Sequence, residues 1–217
     1  MEKCDNTKER ILQTALQLFN QCRATNVSTV QIAAELGMSA GNLYYHFSNK
    51  EHIIRTIWQE MIVPAMDEIM YNPDYRLSEN GVMQYYIALG HNKYRYRFFY
   101  SEIGTLLYND PELKQLYDAR AEKLQAENHE LISTLVRVGI LQQMEPEDVA
   151  YLCENTWVLC QTWVVYRLLK EEDVPEERFA FDMFLSIYHV LKPFFTPPAV
   201  QRMETLIELA QSGRQRA

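Results

Sequence analysis

The sequence predicts an all-α protein, and three observations support this fold class. The chain has 217 residues, and its seven glycines and eight prolines are few for that length. Apolar residues make up 47% of the chain and recur at helical spacing rather than in alternation. No low-complexity tract interrupts this pattern. We therefore expect about nine or ten helices, divided between an N-terminal domain over residues 1–52 and a larger helical bundle over residues 53–217.

Charge is unevenly distributed along the chain. The net charge is −8, yet residues 1–55 carry six basic and five acidic side chains, a net charge of +1. The remaining residues carry 15 basic and 24 acidic side chains, a net charge of −9. A phosphate-binding surface is therefore expected in the first segment alone. Because that segment has few cations, any affinity for nucleic acid should be modest and sensitive to salt.

The N-terminus and the cysteines give no sign of export or of a metal site. No basic stretch precedes an apolar segment, and no window approaches about 18 uncharged apolar residues, so we expect a cytoplasmic protein without a membrane span. The four cysteines form no CxxC pair and have no histidine at metal-ligand spacing. We interpret all four as small apolar side chains and predict neither a metal nor a cofactor: Cys4, Cys22, Cys153 and Cys160.

The first helix is expected to begin after Asn6, whose side chain can cap it while Glu9 reaches back to the cap. It should end near Arg23. One apolar stripe along it is predicted to face the core: Ile11, Ala15, Leu18, Phe19 and Cys22.

Two short helices separated by a glycine turn are predicted next. Ser28 and Gln31 stand in the relation of a capping box at the start of the second helix. Gly37 lies where the chain must leave that helix in a left-handed conformation, which only glycine adopts cheaply. Ser39 can then cap a third helix over residues 40–47. Together these elements predict a helix-turn-helix, completing a three-helix domain.

The third helix has one face for the core and one for a partner. Leu43 and Phe47 lie four residues apart and should point inward. The outward face is small, amide-bearing and aromatic, which suits the major groove of DNA. Asn42 can read an adenine edge, and phosphates can be bound by hydroxyl, imidazole and ammonium groups from Tyr44, Tyr45, His46 and Lys50. Ser48 and Glu51 are expected to cap a fourth helix.

These residues resemble the DNA-binding signature of the TetR/AcrR family of regulators over about residues 6–58. The resemblance rests on three runs: Ile32-Ala33-Ala34-Glu35-Leu36-Gly37-Met38-Ser39, Gly41-Asn42-Leu43-Tyr44-Tyr45-His46-Phe47 and Asn49-Lys50-Glu51. It implies a one-component transcriptional regulator whose third helix enters the major groove. The positions that match the family's DNA contacts are Ser28, Thr29, Ala40, Gly41, Asn42, Tyr44, Tyr45, His46 and Lys50.

Two positions depart from that pattern. Val30 and Ala40 stand where many members of the family carry lysine, arginine or another polar residue. Base readout is therefore expected to depend on Gly41, Asn42 and Tyr45 more than is usual in the family.

The fourth helix is predicted to continue to about Tyr71 with Pro64 inside it. A proline there removes one hydrogen bond and tends to kink the helix. In the resembling family the corresponding helix links the two modules and moves on effector binding, so Pro64 is either a hinge or an inert kink, and we favour the kink. Residues 71–74 are expected to form a loop.

Six further helices are predicted, over residues 79–91, 93–108, 111–139, 146–170, 175–194 and 198–212. Four prolines fall at their expected first turns: Pro111, Pro146, Pro175 and Pro198. The helices over 146–170 and 175–194 are apolar nearly all round, and a monomer of this size rarely covers two such helices. We therefore expect a homodimer through a four-helix bundle, which the resemblance also implies.

Aromatic residues are dense between residues 85 and 117, and a helical bundle lined by them can enclose a mostly apolar small-molecule effector. The pocket is predicted to include Tyr85, Tyr86, His91, Phe98, Glu102, Asn155 and Trp157. For each single residue, core packing is the alternative interpretation.

The function that best fits these observations is a transcriptional regulator. We expect a repressor released from a near-palindromic double-stranded DNA operator by its effector. The alternative is a dimeric interaction protein with a degenerate helix-turn-helix, and steep salt dependence of heparin binding would argue against it. An enzyme is not predicted, because the sequence has no HExxH, phosphate loop or Ser/His/Asp order.

Overall fold

The computed structural model describes residues 2–70, 78–170 and 174–214. These residues form helices α1 Glu2–Cys22, α2 Thr29–Glu35, α3 Ala40–His46, α4 Lys50–Ile57, α5 Val63–Met70, α6 Glu79–Arg95, α7 Arg97–Asn109, α8 Pro111–Arg137, α9 Pro146–Lys170, α10 Glu176–Leu191 and α11 Pro197–Arg214. The described part of the chain has no β-strand, only an isolated bridge between Leu141 and Phe195. The all-α prediction is therefore confirmed. None of the helices described is long and apolar enough to span a bilayer.

The chain divides into two units. Unit 1 comprises residues up to Met66 together with Arg95–Asp118, and unit 2 comprises Asp67–Tyr94 together with the residues from Ala119 onward. The N-terminal helices therefore share a unit with α7 and the start of α8. The predicted boundary after residue 52 follows the sequence motif rather than this packing, and it stays a prediction about function.

An aromatic core holds unit 1 together. Trp58 stacks on Phe99 with ring centroids 4.8 Å apart, and Tyr117 lies 5.5 Å from Trp58. Phe98 packs against Phe19 of α1 at 5.2 Å. Each such ring removes enough apolar surface from water to stabilise the fold by about 1.5–3 kcal/mol. Most of the predicted inward residues of the N-terminal helices complete this core, whereas Leu18 is only half-buried. The buried ones are Ile11, Ala15, Phe19, Ile32, Ala33, Leu43 and Phe47.

Three predictions about the N-terminal helices were wrong. Helix α1 already begins at Glu2, so Asn6 lies within the helix and cannot cap it. Cys22 is exposed rather than part of the apolar stripe. The cap of α4 is Asn49, whose side chain accepts from the backbone N–H of His52 at 2.7 Å. Ser48 is one residue too early, and its hydroxyl instead lies 3.4 Å from the His52 ring.

Pro64 stands just after an interruption of regular α-helix. Helix α4 passes into a π-helical turn at Trp58–Ile62, and α5 begins at Val63. Proline has no N–H to donate to the carbonyl four residues earlier, and a widened turn is a common way to accommodate this. The helix is thus irregular just before Pro64, while the kink and the hinge role both stay predictions. The predicted loop over residues 71–74 lies outside the described residues.

In unit 2, α10 is buried by its own chain, contrary to our expectation. Gly90 of α6 brings the two backbones so close that a Cβ there would lie 2.6 Å from Ala180 Cα. Phe179 packs against Tyr94 and Trp163, with centroids 5.4 Å and 6.4 Å away. The apolar residues covered in this way are Phe179, Phe181, Met183, Phe184, Ile187, Tyr188 and Leu191. Of the two helices expected to form a dimer interface, α9 and α10, only α9 therefore retains a substantial exposed apolar face.

The remaining helix bounds agree with the sequence to within a few residues. Pro111 and Pro146 are first residues of their helices, Pro198 is the second residue of α11, and Pro175 stands at the cap of α10. Cys153 and Cys160 are buried, and burial raises the pKa of each thiol to about 11. Both remain protonated at neutral pH, as expected for cysteines that serve as apolar side chains.

A pair of glycine substitutions tests the close approach of α6 and α10. Gly90→Ala should lower the free energy of unfolding by about 1–3 kcal/mol, because the added methyl meets backbone atoms that cannot rotate away. Gly104→Ala in α7 is the control, since nothing lies within 4 Å of its added Cβ. It should raise stability by up to about 1 kcal/mol through helix propensity. Urea unfolding measures both, and equal effects would contradict the close contact.

Candidate nucleic-acid interface

The two short helices are fixed at their starts by the predicted caps. Ser28 Oγ accepts from the backbone N–H of Gln31 at 3.2 Å, and Gln31 Oε1 accepts from the backbone N–H of Ser28 at 2.8 Å. Ser39 Oγ accepts from the backbone N–H of Asn42 at 3.2 Å. Each cap satisfies a backbone donor that the helix leaves open, a contribution of about 1 kcal/mol. The capping predictions at Ser28 and Ser39 are confirmed.

The turn between α2 and α3 has the left-handed glycine that was predicted. Gly37 has φ +66°, and its N–H donates to the carbonyl of Ala34 at 3.0 Å. The next N–H, from Met38, donates to the carbonyl of Ala33 at 3.0 Å. These bonds close the end of α2 and redirect the chain into α3 within three residues.

The outer face of α3 carries side chains that the fold does not use. Tyr45 is 79% exposed, and Gly41 and Asn42 are exposed as well. Ala40 and His46 are half-buried, and the His46 ring meets the edge of Tyr45 at 5.3 Å. This face offers an amide, an imidazole, a phenol and unshielded backbone, which suits contact with base edges and phosphates.

The start of α2 adjoins that face. Thr29 Oγ1 and Tyr44 Oη lie 2.9 Å apart in a hydrogen bond, so Tyr44 joins the two helices while remaining 49% exposed. Ser28 is exposed, and Val30 is 58% exposed. All predicted contact residues except Lys50 therefore lie on or beside one surface formed by α2 and α3, which we call the reading surface (residues 28–30 and 40–46).

Lys50 has a different position from the one expected of the main phosphate-binding cation. It is half-buried, and its Nζ donates to the carbonyl oxygen of Ala24 at 2.7 Å and of Thr25 at 3.4 Å. In this position it supports the turn before α2. A phosphate contact by Lys50 stays a prediction and would require the ammonium to share or leave these carbonyls.

Glu102 of α7 supports the same turn from the other side. Its carboxylate accepts from the backbone N–H of Ala24 at 2.7 Å and of Thr25 at 3.4 Å, and from the Thr25 hydroxyl at 2.7 Å. The turn begins with Arg23 at φ +67°, a strained conformation for a residue other than glycine. Because its oxygens already bind this turn, the assignment of Glu102 to an effector pocket stays a prediction.

Two further contacts join α7 and α8 to the N-terminal helices. Asn20 donates to the carbonyl of Arg95 at 2.8 Å and accepts from the backbone N–H of Phe98 at 3.0 Å. Arg55 of α4 donates to Asp110 at 2.6 Å, in a largely buried ion pair. The roles of Asn20 and Arg55 could not be predicted from the sequence, since each partner lies more than 50 residues away and no local pattern indicates it.

A cavity of about 160 Å³ lies in unit 1 beside these contacts. It is lined by Ala24, Thr25, Lys50, Glu51, Ile54, Leu106, Asn109, Asp110 and Leu113. None of the predicted effector residues lines it. Pockets for small-molecule ligands usually exceed roughly 300 Å³, so this cavity is small for an effector.

The seven predicted pocket residues are divided between the two units. Phe98 and Glu102 belong to unit 1, where Phe98 packs on Phe19. In unit 2, Asn155 is exposed, and His91 pairs with Glu176 at 2.9 Å. Tyr85 and Tyr86 are buried, and Trp157 is half-buried. Among the described residues, no group of three His, Cys, Asp or Glu side chains could hold a metal ion.

Comparisons with known families match nearly the whole chain. Residues 11–57 match the family described as bacterial regulatory proteins, tetR family. Residues 63–203 match a second TetR family, described as bacterial transcriptional repressor.

Individual relatives agree with these matches. One solved relative is a TetR-family transcriptional regulator from Marinobacter aquaeolei VT8, which shares 30% sequence identity with this chain. The two structures superpose with a TM-score of 0.80 over 93% of this chain and 97% of that one. The regulator AcrR of Shigella flexneri is 33% identical over 58 residues, 27% of either chain. A helix-turn-helix regulator of Staphylococcus aureus is 26% identical in an alignment of 121 residues. The match covers 47% of this chain and 65% of that protein.

The two curated relatives are thus matched over less than two thirds of their own lengths, whereas the solved structure is matched over almost all of its chain. The family matches together cover both the helix-turn-helix and the helices that follow it. This chain belongs to the TetR family of bacterial transcriptional regulators.

Proposed function

We propose that this chain is a one-component repressor that binds a near-palindromic operator as a homodimer and leaves it when a small, mostly apolar effector binds. The observation that carries the proposal is the reading surface. Its exposed groups lie on two short helices whose caps, turn and inner faces are fully built into unit 1. An exposed tyrosine and amide there have no role in folding, which favours a role in binding DNA.

The residues of the reading surface divide by the part of DNA that each would contact. Asn42 has the two-sided amide that pairs with adenine N6 and N7 in the major groove. Gly41 has no side chain, so its backbone can approach base edges closely. Hydroxyl groups at Thr29, Tyr44 and Tyr45 donate to phosphate oxygens without adding charge. The resulting interface orients the helix through neutral hydrogen bonds.

An exposed seam on α9 supports the homodimer. Its residues follow one another at alternating intervals of four and three, the spacing of a helix-packing seam: Tyr151, Asn155, Val158, Thr162, Val165 and Leu169. Val158 is 52% exposed and Leu169 is 81% exposed. A second copy can cover this seam, and a twofold dimer would present two reading surfaces to two half-sites. Asn155 belongs to this seam, so we no longer assign it to the effector pocket.

Unpartnered polar atoms inside unit 2 support ligand binding there. Tyr86 Oη, Trp163 Nε1 and Tyr188 Oη are buried and have no hydrogen-bond partner among the described residues. An unsatisfied buried donor costs about 1–3 kcal/mol, and an effector with acceptor atoms would recover that energy. Because linkage is reciprocal, an effector that binds one dimer geometry better lowers the affinity for DNA when DNA prefers the other.

The reading surface can be tested by paired tyrosine substitutions. An operator is first selected from a random pool of duplex DNA with the full-length protein. Tyr45→Ala and Asn42→Ala should each weaken binding to it tenfold or more, which matches about 1–3 kcal/mol for a specific contact. Tyr108→Ala is the control, because Tyr108 is 87% exposed on α7 and away from the reading surface. Fluorescence anisotropy measures the affinities, and equal losses in all three variants would contradict the assignment.

The support of the turn before α2 can be tested at Glu102. Glu102→Ala leaves the buried N–H of Ala24 without its acceptor, so the free energy of unfolding should fall by about 1–3 kcal/mol, and DNA affinity should fall with it. Glu112→Ala is the matched control, since Glu112 is an exposed glutamate in an ion pair with Arg55 at 3.3 Å. It should change stability by less than about 1 kcal/mol. Urea unfolding of both variants distinguishes the two roles.

The α9 seam can be tested by placing a charge in it. Val158→Asp should make the protein monomeric and weaken operator binding at least tenfold, because two carboxylates would be buried face to face in the dimer. Leu209→Asp is the control, at an apolar residue of α11 that is 66% exposed. Light scattering after size exclusion measures the mass. A dimer that survives Val158→Asp would rule out this interface.

A further inference from the structure

The reading surface contains no cation. The sequence has no lysine or arginine between Arg23 and Lys50, a stretch that includes all of α2 and α3. Arginine and lysine make the commonest specific contact to guanine, by donating to its O6 and N7. This surface therefore lacks the side chains that most often read G·C pairs.

Exposed apolar groups occupy the surface instead. Val30 is 58% exposed and Tyr45 is 79% exposed, while Ala40 at the start of α3 is half-buried. Val30 directly follows Thr29, whose hydroxyl bonds Tyr44, so it lies at the end of α2 that contacts α3. A β-branched residue at an exposed helix position gains nothing from packing and is slightly unfavourable for the helix. Nothing in the fold of unit 1 requires valine there.

Thymine is the only base with an apolar group in the major groove. Its 5-methyl group stands beside the O4 acceptor, and the adenine of the same pair offers the N6 and N7 atoms that an amide can bind. An apolar side chain and an amide on one surface are therefore complementary to A·T pairs. The apolar side chains find no such counterpart at a G·C pair, which presents only hydrogen-bonding groups in the major groove.

We propose that the reading surface recognises A·T pairs in each half-site, with Val30 and Tyr45 packing on thymine methyl groups and Asn42 bonding an adenine. This inference rests on the proposed DNA-binding function and specifies its substrate. Burying one methyl group is worth about 0.8 kcal/mol, close to a fourfold change in affinity. Contacts of this size discriminate between sequences only when several act together, as they would in two half-sites.

Replacing thymine by deoxyuridine tests the inference, since this removes only the methyl group. With the full-length protein and its selected operator, each thymine is replaced in turn. One or two positions in each half-site should show binding weakened about three- to fivefold, and other thymines should show no change. Selected half-sites that are dominated by G·C pairs, or that contain no position sensitive to uracil, would overturn the inference while leaving DNA binding intact.

Variants of the protein then assign each methyl group to its side chain. The loss of affinity when deoxyuridine replaces one thymine is called the uracil penalty at that position. Val30→Ala should abolish this penalty at one thymine and leave it at the others. Tyr45→Ala should abolish it at another thymine, whereas Tyr45→Phe should keep it, because the ring remains. Val138→Ala is the control at a valine that is 46% exposed elsewhere in the chain, and it should leave every penalty in place.

The outcomes separate this inference from the function on which it rests. Uracil penalties that persist unchanged in both Val30→Ala and Tyr45→Ala would overturn the assignment of these side chains. A random pool that yields no bound DNA at all would instead overturn the proposed repressor function. Circular dichroism of each variant shows that the helices are retained, so a lost penalty cannot be due to unfolding.

Discussion

The backbone of the turn at Ala24–Asn26 must find hydrogen-bond partners inside unit 1, and much of the unit's structure serves this constraint. Ala24 is fully buried, so water cannot satisfy its N–H and carbonyl groups. Glu102 accepts from the N–H side, and Lys50 donates to the carbonyl side. Arg23, directly before the turn, has a left-handed conformation at φ +67°. Helix α2 begins at Thr29, three residues after this turn ends at Asn26. The position of the reading surface therefore depends on both Glu102 and Lys50.

This constraint also explains why the reading surface is neutral. Lys8 and Arg55, two other cations of unit 1, pair with Glu60 and Asp110. Lys50 is occupied by carbonyl oxygens of the turn. Cations that already pair within the unit do not neutralise phosphates, so few counterions are released from the DNA on binding. Each half-site should therefore be held weakly. In the proposed homodimer, two linked reading surfaces would compensate for this, because the second contact forms at the high effective concentration that the dimer sets.

Features that depend on neighbouring residues could be predicted from the sequence. The caps at Ser28 and Ser39, the left-handed Gly37 and the bounds of most helices follow from side chains within four residues of one another, and they agree with the structure. The caps predicted at Asn6 and Ser48 do not. Features that depend on distant residues could not. Lys50 was expected to bind a phosphate, and its bonds to the carbonyls of a turn 25 residues earlier could not be predicted from its neighbours in the sequence. Glu102 was expected in a pocket for the same reason.

The burial of α10 shows a second limit of sequence patterns. Its apolar residues encircle the helix, which is equally typical of a core helix and of a dimer interface. Gly90 shows that α10 is a core helix, because its missing side chain lets α6 lie directly on Ala180. That contact joins residues 90 positions apart, so no local pattern could predict it. Helix α9 shows the opposite arrangement, since its exposed residues keep the spacing of a seam after the chain has folded. Exposure after folding, rather than hydrophobicity alone, is therefore the reason for proposing α9 as the interface helix.

In the repressor proposed above, the energies involved would be enough for an effector to control a weakly held operator. Coupling between two binding sites usually amounts to about 1–3 kcal/mol. A buried hydroxyl without a partner, such as that of Tyr86, costs a similar amount, about 1–3 kcal/mol. An effector that satisfies this hydroxyl in only one conformation of the dimer thus supplies a shift of the required size. A shift of this size would change the affinity for the operator by about 5- to 150-fold.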